Sequence, residues 1–168
     1  MSKKLEIKIK AEEKSLSKTY GKFVVKPLER GYGITIGNAL RRVLLTCLPG
    51  AAITNVRIDG VLHEFSSIEG VHEDVSDIIQ NLKGVRFKLD DNDPEKINIK
   101  LEGPCKFTGA DIQKATSELK VLNKKHYITE LNEGVKLDIE IKIGVGKGYT
   151  PSEENELPNA PLGTIAID

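Results

Sequence analysis

Apolar and polar residues alternate along much of the chain, and this spacing of two predicts β-strands with one buried face. Strands are expected at 5–10, 20–25, 52–58, 61–67, 85–89, 97–101 and 135–143. The dipeptide Asp59-Gly60 favours a tight hairpin between 52–58 and 61–67. A charged turn is expected at 90–96 and an exposed loop at 150–161, whereas 102–132 shows no clear order of elements.

Two segments instead repeat apolar residues every three or four positions, which predicts helices. The first covers about 35–48, with Thr35 as its N-cap and Pro49-Gly50 as its end. The second covers about 71–82, with carboxylates near its start and Gly84 just beyond its end. The predicted fold class is therefore α+β, with mainly antiparallel sheets and two principal helices.

The first helix has an unusual polar face. Its apolar stripe consists of Ile36, Ala39, Leu40, Val43 and Cys47, and the opposite side carries Asn38, Arg41, Arg42 and Leu45. A leucine beside two arginines is typical of a protein-binding surface, because arginine offers several donors around a small apolar contact. Periodicity equally allows the leucine to pack under another segment of the chain, with the arginines in solvent.

Composition narrows the class of protein. The 168 residues contain 25 basic and 25 acidic side chains, so no global charge favours nucleic acid or a membrane surface. The two cysteines form no CxxC pair, as expected of a reduced cytosolic protein. The basic start is not followed by the apolar run of a signal peptide or membrane helix. The absence of tryptophan disfavours an aromatic platform for single-stranded nucleic acid.

Candidate chemistry is weak throughout the sequence. The glycine-rich segment 144–148 lacks the spacing of a phosphate loop and favours a turn. His63, Glu64 and His72 are too dispersed for a typical metal site, and the start of a helix accounts for Glu69 and Glu73. Lysine-protected strand edges explain the basic first thirty residues as well as a nucleic-acid adaptor would. No catalytic residue, metal or cofactor is predicted, although an enzyme remains the competing class.

Several motifs resemble the N-terminal domain of bacterial-type RNA polymerase alpha subunits. The longest is the run LERGYGITIGNALRRVLL at 28–45, and IDGVLHEF follows at 58–65. Shorter matches are EGV at 69–71, NLKG at 81–84, GKGY at 146–149 and PLG at 161–163. The match is collinear from about Lys22 to the last residue, and its first motif is long enough to be specific.

The resemblance implies an assembly platform for DNA-directed RNA polymerase without a catalytic site of its own. In that family the alpha domain forms a homodimer that recruits the beta subunit and then beta-prime. Arg42 and Leu45 match beta-binding positions, and Asn38 and Arg41 share their face. Lys83 and Ile167 match positions implicated in beta-prime binding, although a lysine at a helix end is also favoured by the helix dipole. The stripe of Ile36, Ala39, Leu40 and Val43 is then the expected dimer interface.

The resemblance also implies a division into parts. Residues 1–49 would form the first half of a dimerisation subdomain, 50–161 an inserted β-rich subdomain, and 162–168 the start of the return to the first. The rest of the return segment and the family's DNA-binding C-terminal domain are missing from the match. The sequence is therefore expected to be truncated, with an incomplete dimerisation subdomain and no direct DNA binding.

Overall fold

The computed structural model describes residues 6–88 and 96–168. Contacts within the chain divide it into two compact units, Met1–Leu45 and Thr46–Asp168. The helices are α1 (Tyr32–Thr46), α2 (Val75–Lys83) and α3 (Gly109–Ala115). The strands are β1 (Lys8–Ala11), β2 (Phe23–Lys26), β3 (Pro49–Ile58), β4 (Phe87–Lys88), β5 (Lys96–Glu102), β6 (Cys105–Thr108), β7 (Lys120–Val121), β8 (Tyr127–Leu131), β9 (Lys136–Lys147) and β10 (Thr164–Ala166). Every strand pairing among the described residues is antiparallel, and together with the helices this confirms the α+β fold class.

The first unit contains the two-stranded sheet of β1 and β2, followed by α1. Ile9 pairs with Val25 and Ala11 with Phe23, so these residues share one face of the sheet. Ile9 is 70% exposed and Phe23 is 62% exposed. Two strands bury little apolar surface by themselves, and a stable sheet normally needs a further strand or a packed layer.

The second unit is built around a four-stranded sheet in the order β10-β3-β9-β5. Strand β9 buries every second residue, namely Leu137, Ile139, Ile141 and Ile143. Because side chains alternate between the two faces of a strand, one face of the sheet joins the core and the other stays polar. The predictions of strands at 97–101 and 135–143 are confirmed by β5 and β9.

Two helices pack on the second unit's core. Helix α2 buries Val75, Ile78 and Leu82 completely and contacts β3 and β8. Helix α3 lies against β5 and β7, and its start is fixed by Asp111, whose carboxylate accepts hydrogen bonds from the amide and hydroxyl of Thr108 at 3.0 and 2.9 Å. This side chain satisfies a donor that the first turn of a helix leaves without a backbone partner.

The predicted hairpin after Asp59-Gly60 is wrong. The two residues do form a turn, with Gly60 at φ 78°, but residues 61–67 are not a strand. Both edges of β3 are already occupied, by β9 on one side and β10 on the other. Partners from distant parts of the chain therefore replace the local one that the dipeptide favours.

The predicted ends of the helices also need correction. Helix α1 begins at Tyr32, directly after Gly31 at φ 92°, so Thr35 lies inside the helix and is not its N-cap. Pro49 and Gly50 begin β3, opposite Lys147 and Gly146, and do not form a turn. The segment 144–148 is likewise strand up to Lys147. Leu5, Leu89 and residues 90–95 of the predicted elements lie outside the described residues.

Candidate functional site

Helix α1 carries eight of the predicted contact residues on an exposed surface. Every residue of α1 except Ile36 is exposed, and Ile36 is half-buried. Its apolar stripe includes Leu40 at 52% and Val43 at 50% exposure. A helix in a fully packed domain normally buries its apolar face, so a 15-residue helix with this much exposed apolar surface is unusual.

The opposite side of α1 carries the predicted beta-binding residues. Leu45 is 58% exposed, and Asn38, Arg41 and Arg42 are exposed as well. Arg42 already makes an interaction within the chain, so it is not a free cation. At about 100° per residue, Arg41, Arg42 and Leu45 point away from Leu40 and Val43. We call the two sides the α1 stripe (Ile36, Ala39, Leu40 and Val43) and the α1 polar face (Asn38, Arg41, Arg42 and Leu45).

The second candidate surface lies at the end of α2. The Nζ atom of Lys83 is 2.5 Å from Oδ1 of Asp168, and the Tyr149 hydroxyl is close enough to the Asp168 side chain to shift its pKa. The hydrogen bond from Lys83, together with the nearby Tyr149 hydroxyl, holds the pKa of Asp168 below its usual value. The Asp168 carboxylate in turn raises the pKa of Tyr149. We call these three residues the Lys83 cluster.

Ile167 directly precedes Asp168 in the sequence, but its side chain does not reach the protein surface. Its side chain is only 2% exposed and belongs to the core, and its amide donates to the carbonyl oxygen of Thr54 at 2.8 Å. The structure thus brings the two predicted beta-prime residues, Lys83 and Ile167, to one place. A side chain buried to this degree offers little surface to a partner, so a binding role for Ile167 stays a prediction.

Two asparagines hold the segment that bears Ile167 and Asp168. The side-chain nitrogen of Asn155 donates to the carbonyl oxygen of Ile167 at 2.8 Å. The side-chain nitrogen of Asn55, which is 3% exposed, donates to the backbone oxygen of Asn155 at 2.8 Å. Buried amide groups with satisfied hydrogen bonds specify one local arrangement, so the position of Asp168 is fixed from both β3 and the Ser152–Asn155 turn.

Sequence reasoning missed Tyr149, Asp168 and Asn155. Tyr149 lay within the GKGY motif, which marked a resemblance but gave no role. Lys83 and Asp168 are 85 positions apart, and nothing local links a helix end to a strand that distant. Asn155 lies in a segment expected to be an exposed loop.

The residues considered for a metal site or for paired carboxylates have the following surroundings. Among residues 6–88 and 96–168, no group of three His, Cys, Asp or Glu side chains could hold a metal ion. His63 lies 3.2 Å from the hydroxyl of Ser66, and the Glu73 carboxylate accepts from the Tyr127 hydroxyl at 2.7 Å. No helix of the described ranges is long and apolar enough to cross a membrane. Cys47 is exposed and Cys105 half-buried, and both are free thiols.

Comparison with known proteins gives consistent matches. Residues 56–168 match the family described as the RNA polymerase Rpb3/RpoA insert domain. The chain is 52% identical over 161 residues to a protein of Chlorobium luteolum, a match that covers 96% of this chain and 49% of the relative. It is 54% identical over 153 residues to a protein of Salinibacter ruber, covering 91% and 47%. Both relatives are named DNA-directed RNA polymerase subunit alpha, and the chain spans about half of their length.

Proposed function

Because the chain belongs to the RNA polymerase alpha subunit family, we propose that it is the part of such a subunit that assembles the transcription enzyme in the cytoplasm. In this proposal two alpha subunits pair through the α1 stripe. The α1 polar face of the dimer then binds the beta subunit, and the Lys83 cluster takes part in binding beta-prime. The chain supplies no catalytic group and needs no cofactor, and nucleotidyl transfer takes place in the large subunits.

The observation that carries this proposal is the exposure of α1 on both of its sides. An apolar stripe that is half exposed loses contact with water when a second copy covers it, and burial of apolar surface contributes about 25 cal/mol per Å². On the other side, Leu45 lies one helical turn from Arg42 and Arg41. Arginine beside an exposed apolar residue is a composition enriched in protein interfaces. Two opposite faces with different chemistry suit two different partners.

The experiment is an Arg42→Ala substitution in a full-length alpha subunit that contains this sequence. Interface arginines that act as anchors commonly contribute about 2 kcal/mol or more, so capture of purified beta should weaken more than about tenfold. The dimer and its melting temperature should change little, because substitutions at exposed sites usually alter stability by about 0.5 kcal/mol or less. Arg42→Lys should restore binding only in part, since an ammonium cannot reproduce the planar fork of donors.

Arg86→Ala is the matched control, because Arg86 is also exposed and its backbone amide, which the substitution keeps, donates to the Asn123 side chain. This variant should capture beta normally. Full beta binding by Arg42→Ala would refute the assignment of the α1 polar face. A large loss of thermal stability would instead make Arg42 part of the internal structure.

A further inference from the structure

The ends of three elements meet at the Lys83 cluster. Lys83 is the last residue of α2, Tyr149 follows β9 by two positions, and Asp168 follows β10 by two positions. The side chains of Lys83 and Asp168 are 30% and 34% exposed, whereas Tyr149 is 76% exposed. One partly covered ion pair therefore lies beside one aromatic side chain that is largely open to a partner.

Asp168 does not depend on Lys83 for its position. The preceding residue, Ile167, is anchored by its buried side chain, by its amide on Thr54 and by its carbonyl oxygen on Asn155. The carboxylate is thus presented by a rigid backbone, and the flexible lysine side chain comes to it. A long side chain held in one geometry has already lost the rotamer freedom that binding would otherwise remove.

This pair differs from other ion pairs of the same unit. Lys100, which pairs with Asp138, is 82% exposed. Lys136, which pairs with Glu102, is 77% exposed. Such exposed pairs contribute little and leave the lysine mobile. Lys83 is instead only 30% exposed and is held at 2.5 Å from the Asp168 carboxylate, beside which the Tyr149 hydroxyl lies. The Lys83–Asp168 pair is therefore less exposed than these two pairs and holds its lysine in a more defined position.

The charges of the cluster indicate the chemistry of its partner. Lys83 and Asp168 neutralise each other, so a strongly acidic segment would meet the Asp168 carboxylate as well as the ammonium. An ammonium has three donors, and those not used by Asp168 suit neutral acceptors such as backbone carbonyl oxygens. The exposed ring of Tyr149 suits an apolar side chain, and tyrosine is enriched among residues that dominate binding.

We propose that Lys83, Tyr149 and Asp168 bind beta-prime as one composite site, in which Asp168 positions the Lys83 ammonium and Tyr149 provides the apolar contact. The bound segment of beta-prime presents backbone carbonyl oxygens to Lys83 and an apolar side chain to the Tyr149 ring. This inference rests on the proposed function, because it assigns two further residues and a partner chemistry to the surface that contains Lys83.

A double-mutant cycle tests the composite site in the full-length subunit. Complexes of two alpha subunits with beta are prepared with Lys83→Ala, Asp168→Asn and both, and the affinity for purified beta-prime is measured. Each single variant should bind about tenfold more weakly, as expected for a residue that dominates an interface. The double variant should bind no more weakly than the weaker single variant, because both remove the same unit. Asp168→Glu, which keeps the carboxylate, should recover part of the affinity.

Two variants of Tyr149 distinguish an apolar contact of its ring from a hydrogen bond of its hydroxyl group. Tyr149→Ala should weaken beta-prime binding about as much as Lys83→Ala, and Tyr149→Phe should weaken it less, because the ring remains. The matched control is the Lys136–Glu102 pair, whose Lys136→Ala and Glu102→Gln variants should bind within about twofold of the unsubstituted protein. Melting temperatures of all variants verify that the second unit is folded.

The outcomes distinguish the two levels of the proposal. If Lys83→Ala weakens binding but Asp168→Asn and Tyr149→Ala do not, the composite site is refuted and the role of Lys83 stands. Additive effects of Lys83→Ala and Asp168→Asn would also refute it, since the residues would then act independently. If Lys83→Ala recruits beta-prime normally, the proposed role of this whole surface in assembly fails together with the composite site.

Discussion

Helices α1 and α2 have the same kind of sequence pattern and opposite environments. In α2 the apolar residues Val75, Ile78 and Leu82 are completely buried, whereas in α1 Leu40 and Leu44 are 52% and 62% exposed. Both stripes recur at helical spacing. The comparison shows that periodicity identifies the apolar face of a helix, but not whether that face is buried within its own chain.

The largest expected difference between the two helices concerns stability. Leu82→Ala should lower the free energy of unfolding of the second unit by about 2–5 kcal/mol, because it removes buried methyl groups and leaves a cavity. Leu44→Ala, the same substitution at an exposed position of the first unit, should change the free energy of unfolding of that unit by about 0.5 kcal/mol or less. Urea unfolding followed by circular dichroism measures both. Similar costs for the two substitutions would contradict the contrast between the helices.

The next difference concerns association. Leu40→Asp in a full-length alpha subunit places a carboxylate in the α1 stripe and should weaken the alpha dimer by at least about tenfold, as burial of an unpaired charge is unfavourable. Leu62→Asp is the control, because Leu62 is 66% exposed in the second unit. Sedimentation equilibrium gives both dimer constants. An intact dimer with Leu40→Asp would remove the stripe from the interface.

The smallest expected difference between the two helices concerns how stability depends on pH. Burial raises the pKa of Glu73, but hydrogen bonds from the Tyr127 hydroxyl and the Glu130 amide outweigh it, so the net pKa is below 4.5. The Thr129 hydroxyl faces the same carboxylate without reaching hydrogen-bond geometry. A lowered folded-state pKa contributes stability that is present above pH 4.5 and is lost as the pH falls through the folded-state value.

The second unit should therefore become less stable below pH 4.5, and Glu73→Gln should reduce this dependence. The expected effect is a fall in melting temperature as the pH is lowered, measured by thermal unfolding at a series of pH values. Helix α1 contains no carboxylate, so its own sequence contributes no such dependence. An unchanged acid dependence in the Glu73→Gln protein would show that other carboxylates are responsible.

The sequence predicted the elements whose pattern is local. Strand β9 was predicted because five apolar residues alternate, and α2 because its stripe and Gly84 mark a helix and its end. Helix α3 was missed, although Thr108 followed three positions later by Asp111 is a recognisable start signal. The predicted site residues on α1 and Lys83 came from family resemblance, and periodicity alone left the α1 polar face ambiguous.

What the sequence could not provide depends on distant pairing. The hairpin after Asp59-Gly60 was wrong because β9 and β10 occupy both edges of β3, and neither strand is near it in sequence. The Lys83 cluster likewise depends on a distant segment, because Asp168 follows β10, which is far from α2 in the sequence. Ile167 shows that resemblance has a limit as well. It identified Ile167 as a contact residue, but the side chain is buried in the structure.

The most direct test of the central claim, that α1 is a binding surface and not a core helix, is site-specific photocrosslinking. A photoreactive amino acid replaces Leu45 in a full-length alpha subunit, and in a second variant it replaces Leu122. Both leucines are 58% exposed, but Leu122 lies outside the proposed contact surfaces. Irradiation with purified beta should crosslink position 45 to beta and leave position 122 unlinked. Equal crosslinking at both positions, or none at position 45, would contradict the account.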